Sequence, residues 1–352
     1  TWWSLPLVRP KRLSAGDRVA VISPSWGGPA AFPQRYDAGK KVLEERFGLI
    51  VVEMPNTRRD AQWLDANPQA RADDFMQAFG DPSIKAVIAS IGGDDSIRLA
   101  PYIDLSVIQD NPKIFLGYSD PTTLHFACLK AGVVSFHGPT LMSGFAENGG
   151  ISPLTESTFR KAAFSPRAIG ALEANREGWT AEHIDWSVAS NQEKRRQRNP
   201  SMGPKLLQGS GTVRGRLIGG CAEVLEMLKG SDWWPQPSYW DNCILFYETS
   251  EEAPSSAHVL RWLRNFHAQG ILSRLSGFIL ARAGGHMDDA QRAAQHTAVV
   301  RAFHEAGLPH LPILADLDFG HTDPIATIPY GIDAEIDCDQ RTLTFLESAV
   351  SL

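Results

Sequence analysis

The first 140 residues alternate between short, nearly continuous apolar runs and stretches whose apolar positions recur every three or four residues. Residues 18–23 predict a buried strand ending in a Pro/Gly loop, and 35–46 carry helical spacing. A second strand is expected over 49–53, an amphipathic helix over 71–79, and a third strand over 85–90, running into Gly92-Gly93. Residues 114–116 give a fourth strand and 133–136 a fifth. Strands that are apolar throughout and separated by helices belong to a parallel sheet covered on both faces. In such sheets ligands gather at the carboxyl ends of the strands.

The fourth run ends abruptly in Gly117-Tyr118-Ser119-Asp120-Pro121. Gly117 permits a sharp reversal, Asp120 can cap, and Pro121 suits a first helical turn. Such a strand-to-helix bend exposes the Ser119 hydroxyl near the positive end of a helix dipole, where a nucleophile is useful. An ordinary serine N-cap accounts for this segment equally well.

From about residue 166 to 209 the periodicity disappears. Glu193-Lys194-Arg195-Arg196-Gln197-Arg198 reads as a solvated loop within a linker or a lid. Strand-like runs return at 212–218, 243–247, 277–281 and 342–346, with helices expected over 257–269 and 289–306. The predicted fold class is α/β. An N-terminal parallel-sheet domain with a nucleophile elbow spans 1–165, a linker or substrate loop 166–208, and a mixed α/β, barrel-like domain 209–352.

Composition narrows the picture. The 352 residues suit two domains, and 43% hydrophobic with 21% charged residues describes an ordinary globular chain. A net charge of −6 gives no footprint for a nucleic-acid polymer. Cys128, Cys221, Cys243 and Cys338 are widely spaced, as in a reduced, cytoplasmic protein. No apolar stretch approaches a membrane span, and the first residues lack the layout of a signal peptide.

A nucleophilic serine needs a base and a group to orient that base. Glu248 ends the apolar run 244–246, and His321 lies in the turn-rich Gly320-His321-Thr322-Asp323-Pro324. Taken singly, the first is also a surface charge and the second a solvated histidine. His286, His296, His304 and His310 never reach a metal-ligand spacing, so no metal or cofactor is expected. Gly209-Ser210-Gly211-Thr212 lacks the Gly-Lys-Ser/Thr ending of a phosphate loop and precedes a strand. Trp179 and Trp186 stand in the polar middle segment, either packing into a core or stacking on a ligand.

Together these pieces resemble the peptidase family that contains the LD-carboxypeptidases and the microcin C immunity proteins. The resemblance runs through Ile91-Gly92-Gly93-Asp94-Asp95-Ser96, residues 112–120, Gly215 to Gly220, residues 244–248 and the loop around His321. It implies a Ser119–His321–Glu248 triad, with the backbone amides of Gly93 and Asp120 as an oxyanion hole. Trp186, Trp179, Asp94 and Arg282 would contact substrate. Cys221 stands where the family commonly has asparagine, and Arg282 where the immunity branch has lysine.

The Gly-Gly-Asp-Asp-Ser segment and the tryptophan pair resemble the immunity branch more than the carboxypeptidases. The resemblance therefore implies hydrolysis of a peptidyl- or aminoacyl-nucleotide of the microcin type by a homodimer that needs neither cofactor nor membrane. Cleavage of a murein tetrapeptide is the alternative, and a non-catalytic binding protein on the same scaffold a third.

Overall fold

The computed structural model describes residues 2–352. Its strands, in chain order, begin with β1 (Arg18–Ile22), β2 (Ile50–Glu53), β3 (Ile84–Ala89), β4 (Ile114–Gly117) and β5 (Phe136–His137). Next come β6 (Gly170–Ala171), β7 (Lys205–Gln208), β8 (Thr212–Cys221), β9 (Cys243–Glu248) and β10 (Gly277–Ala281). The last are β11 (Ile313–Leu317), β12 (Ile328–Pro329), β13 (Asp333–Asp337) and β14 (Thr342–Phe345). They form two sheets, in the orders β12-β5-β4-β3-β1-β2 and β6-β14-β13-β8-β9-β10-β11-β7.

The first sheet is parallel except for β12, which returns from late in the chain to pair antiparallel with β5. In β3 every residue but Lys85 is buried, as a strand covered on both faces requires. The fifth strand is shorter and later than the expected 133–136. Instead, the Val8 amide donates to Gly132 O and Val8 O accepts from the Val134 amide, so the chain's start takes up that pairing.

In the second sheet, β8 to β11 are parallel, flanked by antiparallel strands. The sheet is mixed, as expected, and its order runs open from β6 to β7 rather than closing into a barrel. Both edges come from the stretch without periodicity, since β6 and β7 lie at 170–171 and 205–208. Strands this short and half-exposed leave no alternation to read.

Local chemistry sets the helix ends. Pro33 opens the helix Pro33–Phe47, and Gly48 closes it in the left-handed region at φ 68°. Asp288 and Gln291 make a reciprocal capping box at the start of Asp289–Glu305, a device worth about 1 kcal/mol. One continuous hydrophobic cluster joins the two sheets, and the Tyr330 hydroxyl bridges them by donating to Gly219 O at 2.7 Å. No helix among the described residues is long and apolar enough to cross a membrane.

Candidate active site

The carboxyl ends of β3, β4, β9 and β11 bring Ser119 and His321 to one cleft of ≈570 Å³, with Glu248 buried behind His321. Ser119, just past β4, has φ 70°. A non-glycine residue in this region is strained, as at a nucleophile elbow. The N-cap of the helix Thr122–Lys130 is Pro121, and no side chain caps it. The Ser119 hydroxyl is therefore not spent on the helix.

Asp120 does not cap either. Its carboxylate is wholly buried and accepts from the Ser25 hydroxyl and from the Ser96 amide at 2.9 Å. Burial pushes this carboxyl up to about 6 against the pull of those hydrogen bonds. Gly92 passes so close that a Cβ there would lie 3.3 Å from Ser119 Oγ, and one on Gly93 would lie 2.8 Å from Ser25 Cβ. A side chain at 93 would force Ser25 aside, and one at 92 would crowd Ser119. The N–H groups of Gly93 and Asp120 donate to no other group among the described residues.

Glu248 ends β9 and is fully buried. Its Oε2 lies 2.5 Å from His321 Nδ1, and its Oε1 lies 3.6 Å from His137 Nε2. Burial would raise the Glu248 carboxyl, but the His321 charge and the neighbouring His137 outweigh it and hold it at about 2. Burial likewise lowers His321, yet Glu248 and Glu251 raise it well above 6.5. The loop after β11 closes on Glu248 because residue 320 is glycine at φ 85°, where a Cβ would run into the carboxylate. The Tyr118 ring packs edge-on against His321, 5.0 Å between centroids.

Of the predicted substrate contacts, Trp186 alone lines this cleft. Its ring carries the Arg35 guanidinium at 4.4 Å and meets Phe32 edge-on, and Phe32 in turn meets Trp26. Trp179 lies outside the cleft, its ring between the guanidinium groups of Arg282 and Arg292 at 5.0 and 4.6 Å. Arg282 is buried and committed to Asp318 at 2.9 Å, so it too stands apart from the cleft. Asp94 is exposed and does not line the cleft. The charged run is not simply solvated, since Arg196 reaches the cleft and pairs with Glu147 and, at 2.6 Å, with Asp323.

Cys221, Glu248 and His321 offer three donor atoms within 4.8 Å, the one group of metal-ligand type found among the described residues. Burial beside Glu248 and Glu223 drives the Cys221 thiol up and keeps it protonated, and His321 Nδ1 is already on Glu248. The side-chain partner of Cys221 Sγ is Glu223 Oε2, at 4.0 Å.

Sequence reasoning missed Ser25, Tyr118, His137 and Glu251. Glu251 brings its Oε2 to 3.2 Å from His321 Nε2, and its position three residues beyond Glu248 was a signal within reach. The others are ordinary residues whose neighbours come from distant strands.

In sequence, residues 19–138 match the profile of the LD-carboxypeptidase N-terminal domain, and residues 214–336 that of the LD-carboxypeptidase C-terminal domain. The microcin C7 self-immunity protein MccF of Escherichia coli is 29% identical over 349 residues, 96% of each chain. A probable murein peptide carboxypeptidase of Bacillus subtilis is 26% identical over 346 residues, 97% of this chain and 95% of that one. In three dimensions, MccF in complex with aspartyl sulfamoyl adenosine superposes with a TM-score of 0.84 at 27% identity, over 98% of this chain and 100% of that one. An MccF-like protein from Streptococcus pneumoniae in complex with AMP gives 0.82 at 26% identity, over 94% and 98% of the two chains.

Proposed function

The chain belongs to the LD-carboxypeptidase family of peptidases, and from that premise we propose a serine hydrolase with Ser119 as nucleophile, His321 as base and Glu248 as its orienting partner. The observation that carries this reading is the Glu248–His321 contact of 2.5 Å in the same cleft as the positive-φ Ser119. As Ser119 Oγ bonds to the carbonyl carbon, its proton passes to His321 Nε2, and Glu248 stabilises the imidazolium. The N–H groups of Gly93 and Asp120 hold the oxyanion. His321 then returns its proton to the leaving nitrogen. Water, deprotonated by the same ring, clears the acyl-enzyme and regenerates Ser119.

The proposed substrate is an aminoacyl- or peptidyl-nucleotide of the microcin type, cut at the amide joining the aminoacyl group to the nucleotide. Two similar structures hold aspartyl sulfamoyl adenosine and AMP. In this chain Trp186, Phe32 and Trp26 offer an aromatic wall beside Ser119 for a base to stack on. The murein alternative rests on the Bacillus relative. Against it, a peptide's terminal carboxylate finds no uncommitted arginine or lysine lining the cleft. A cytoplasmic homodimer belongs to the same reading, and sedimentation tests the dimer.

Parallel incubation with lysyl and aspartyl sulfamoyl adenosine and with a murein tetrapeptide decides the substrate, with products identified by mass spectrometry. Cleavage of a nucleotide analogue is expected, and cleavage of the tetrapeptide alone overturns the preference. Labelling of Ser119 by a serine-directed phosphonate separates both from a non-catalytic binding protein.

A further inference from the structure

Two carboxylates hold the His321 ring at once. Nδ1 rests on Glu248 at 2.5 Å, and Nε2, the nitrogen that must receive the Ser119 proton, lies 3.2 Å from Glu251 Oε2. The Ser119 hydroxyl has no hydrogen-bond partner among the described residues. In this arrangement the base is blocked.

The two acids are not equivalent. Glu248 is fully buried at the end of a central strand, whereas the Glu251 side chain is 72% exposed. Glu251 sits in a turn closed by the Ala253 amide on Ser250 O, at 3.1 Å. Swinging it off the ring needs only side-chain rotation.

The cleft's one arginine is already matched, and its remaining carboxylates besides Glu251 accept hydrogen bonds from neutral donors. Arg196 is the one arginine or lysine that lines it, and Glu147 and Asp323 occupy its guanidinium. Glu182 accepts from the Gln197 amide, and Asp185 from Ser187. Among the described residues Glu251 pairs with no cation but His321. A negative group entering the cleft meets no free arginine or lysine, and a positive group meets carboxylates of which Glu251 is the one in contact with His321 Nε2.

We propose that Glu251 is the specificity-determining residue of the site, selecting substrates that carry a positive charge on the acyl portion beside the scissile amide. In the unliganded protein its carboxylate occupies His321 Nε2, and the substrate's ammonium draws it away. The ring, then facing one carboxylate instead of two, gives its Nε2 proton to water and turns a free nitrogen to Ser119. No covalent bond other than N–H breaks in this step. The proposal rests on the hydrolase reading above for its catalytic consequence, but not for its binding consequence.

The test uses lysyl-, norleucyl- and glutamyl-sulfamoyl adenosine, each with and without an Nα-acetyl group. Binding is measured by calorimetry on Ser119→Ala and on Ser119→Ala/Glu251→Gln, and turnover on the unaltered protein and on Glu251→Gln. The expected result is about 10-fold tighter binding of the lysyl than the glutamyl compound, shrinking to about two-fold when Glu251 is replaced. If acetylation, rather than the side chain, sets the Glu251-dependent difference, the charge being read is the α-ammonium, and the proposal holds with that source. Equal binding of all compounds, or a ranking that survives Glu251→Gln, overturns it. The expected binding order without any turnover sinks the hydrolase reading and leaves the role of Glu251 standing.

Discussion

The Asp120 carboxylate accepts a hydrogen bond from the Ser25 hydroxyl, tying the residue after Ser119 to a loop 95 positions earlier. The same serine is what Gly93 packs against. The two N–H groups proposed for the oxyanion are therefore held in register through one side chain. Ser25→Ala leaves a buried carboxylate one donor short, at a cost of about 1–3 kcal/mol. It also loosens the Gly93 amide. Loss of an oxyanion donor costs about 10²- to 10³-fold in kcat, so a displaced one is expected to cost about 10-fold, with KM little changed. Steady-state kinetics beside a thermal melt check this. A lowered Tm with unchanged kcat would detach Ser25 from catalysis.

Ser119→Ala is expected to lower turnover by something like 10⁴- to 10⁶-fold, as in other serine triads. The fold should survive, because the hydroxyl caps no helix. The strained φ of 70° suits alanine no worse than serine. Near-normal activity in this variant would sink the assignment of the nucleophile.

Periodicity made the first sheet legible because β1, β3 and β4 are buried on both faces and read as unbroken apolar runs. It could not reveal β6 and β7, which are short, half-exposed edges. Nor could it show that Arg196, inside a charged run, is nearly buried between Glu147 and Asp323. The bend at Ser119 was visible as Gly-Tyr-Ser-Asp, yet as a bend only. Glu248 and His321 are 73 residues apart, and their pairing depends on β9 and β11 flanking β10. No spacing rule contains that distance, so those two residues came from the family resemblance. The tryptophans divide in the same way. Seven residues separate Trp179 from Trp186, but the segment between them is not helical and sends the rings to different clefts.

The pH dependence follows from the two acids on His321. A base must be neutral in the free enzyme, and kcat/KM reports its titration. Glu248 and Glu251 raise His321 well above 6.5, so the acid limb of kcat/KM should lie above pH 6.5. Glu251→Gln removes one of the two carboxylates and should move that limb to lower pH. A limb that stays in place would show that Glu251 does not face the ring in solution. Stability has the opposite sense for the two partners. The raised His321 contributes fully below pH 6.5, and its contribution is lost as pH rises through its folded value. Glu248, held at about 2, contributes above 4.5, and that is lost as pH falls towards 2. Thermal midpoints measured across pH are thus expected to fall on both sides.

Trp186 and Trp179 should separate cleanly when each is replaced by alanine. Trp186 lines the cleft with Ser119 and His321, and its ring is braced by Phe32 at 5.7 Å and Arg35 at 4.4 Å. That bracing fixes the indole before any ligand arrives, so little is lost in ordering it. Stacking of a base is worth about 1–3 kcal/mol. Trp186→Ala should therefore weaken binding of a sulfamoyl adenosine by about 10- to 100-fold, appearing in KM more than in kcat. Phosphonate labelling of Ser119 should be spared, because the elbow owes nothing to the indole. Trp179 packs between Arg282 and Arg292 outside the cleft, and Arg282 leans on Asp318 near the base of the His321 loop. Trp179→Ala should lower the thermal midpoint while leaving KM for the nucleotide analogue within about two-fold. Equal effects of both variants on KM would mean that the two clefts act as one binding surface.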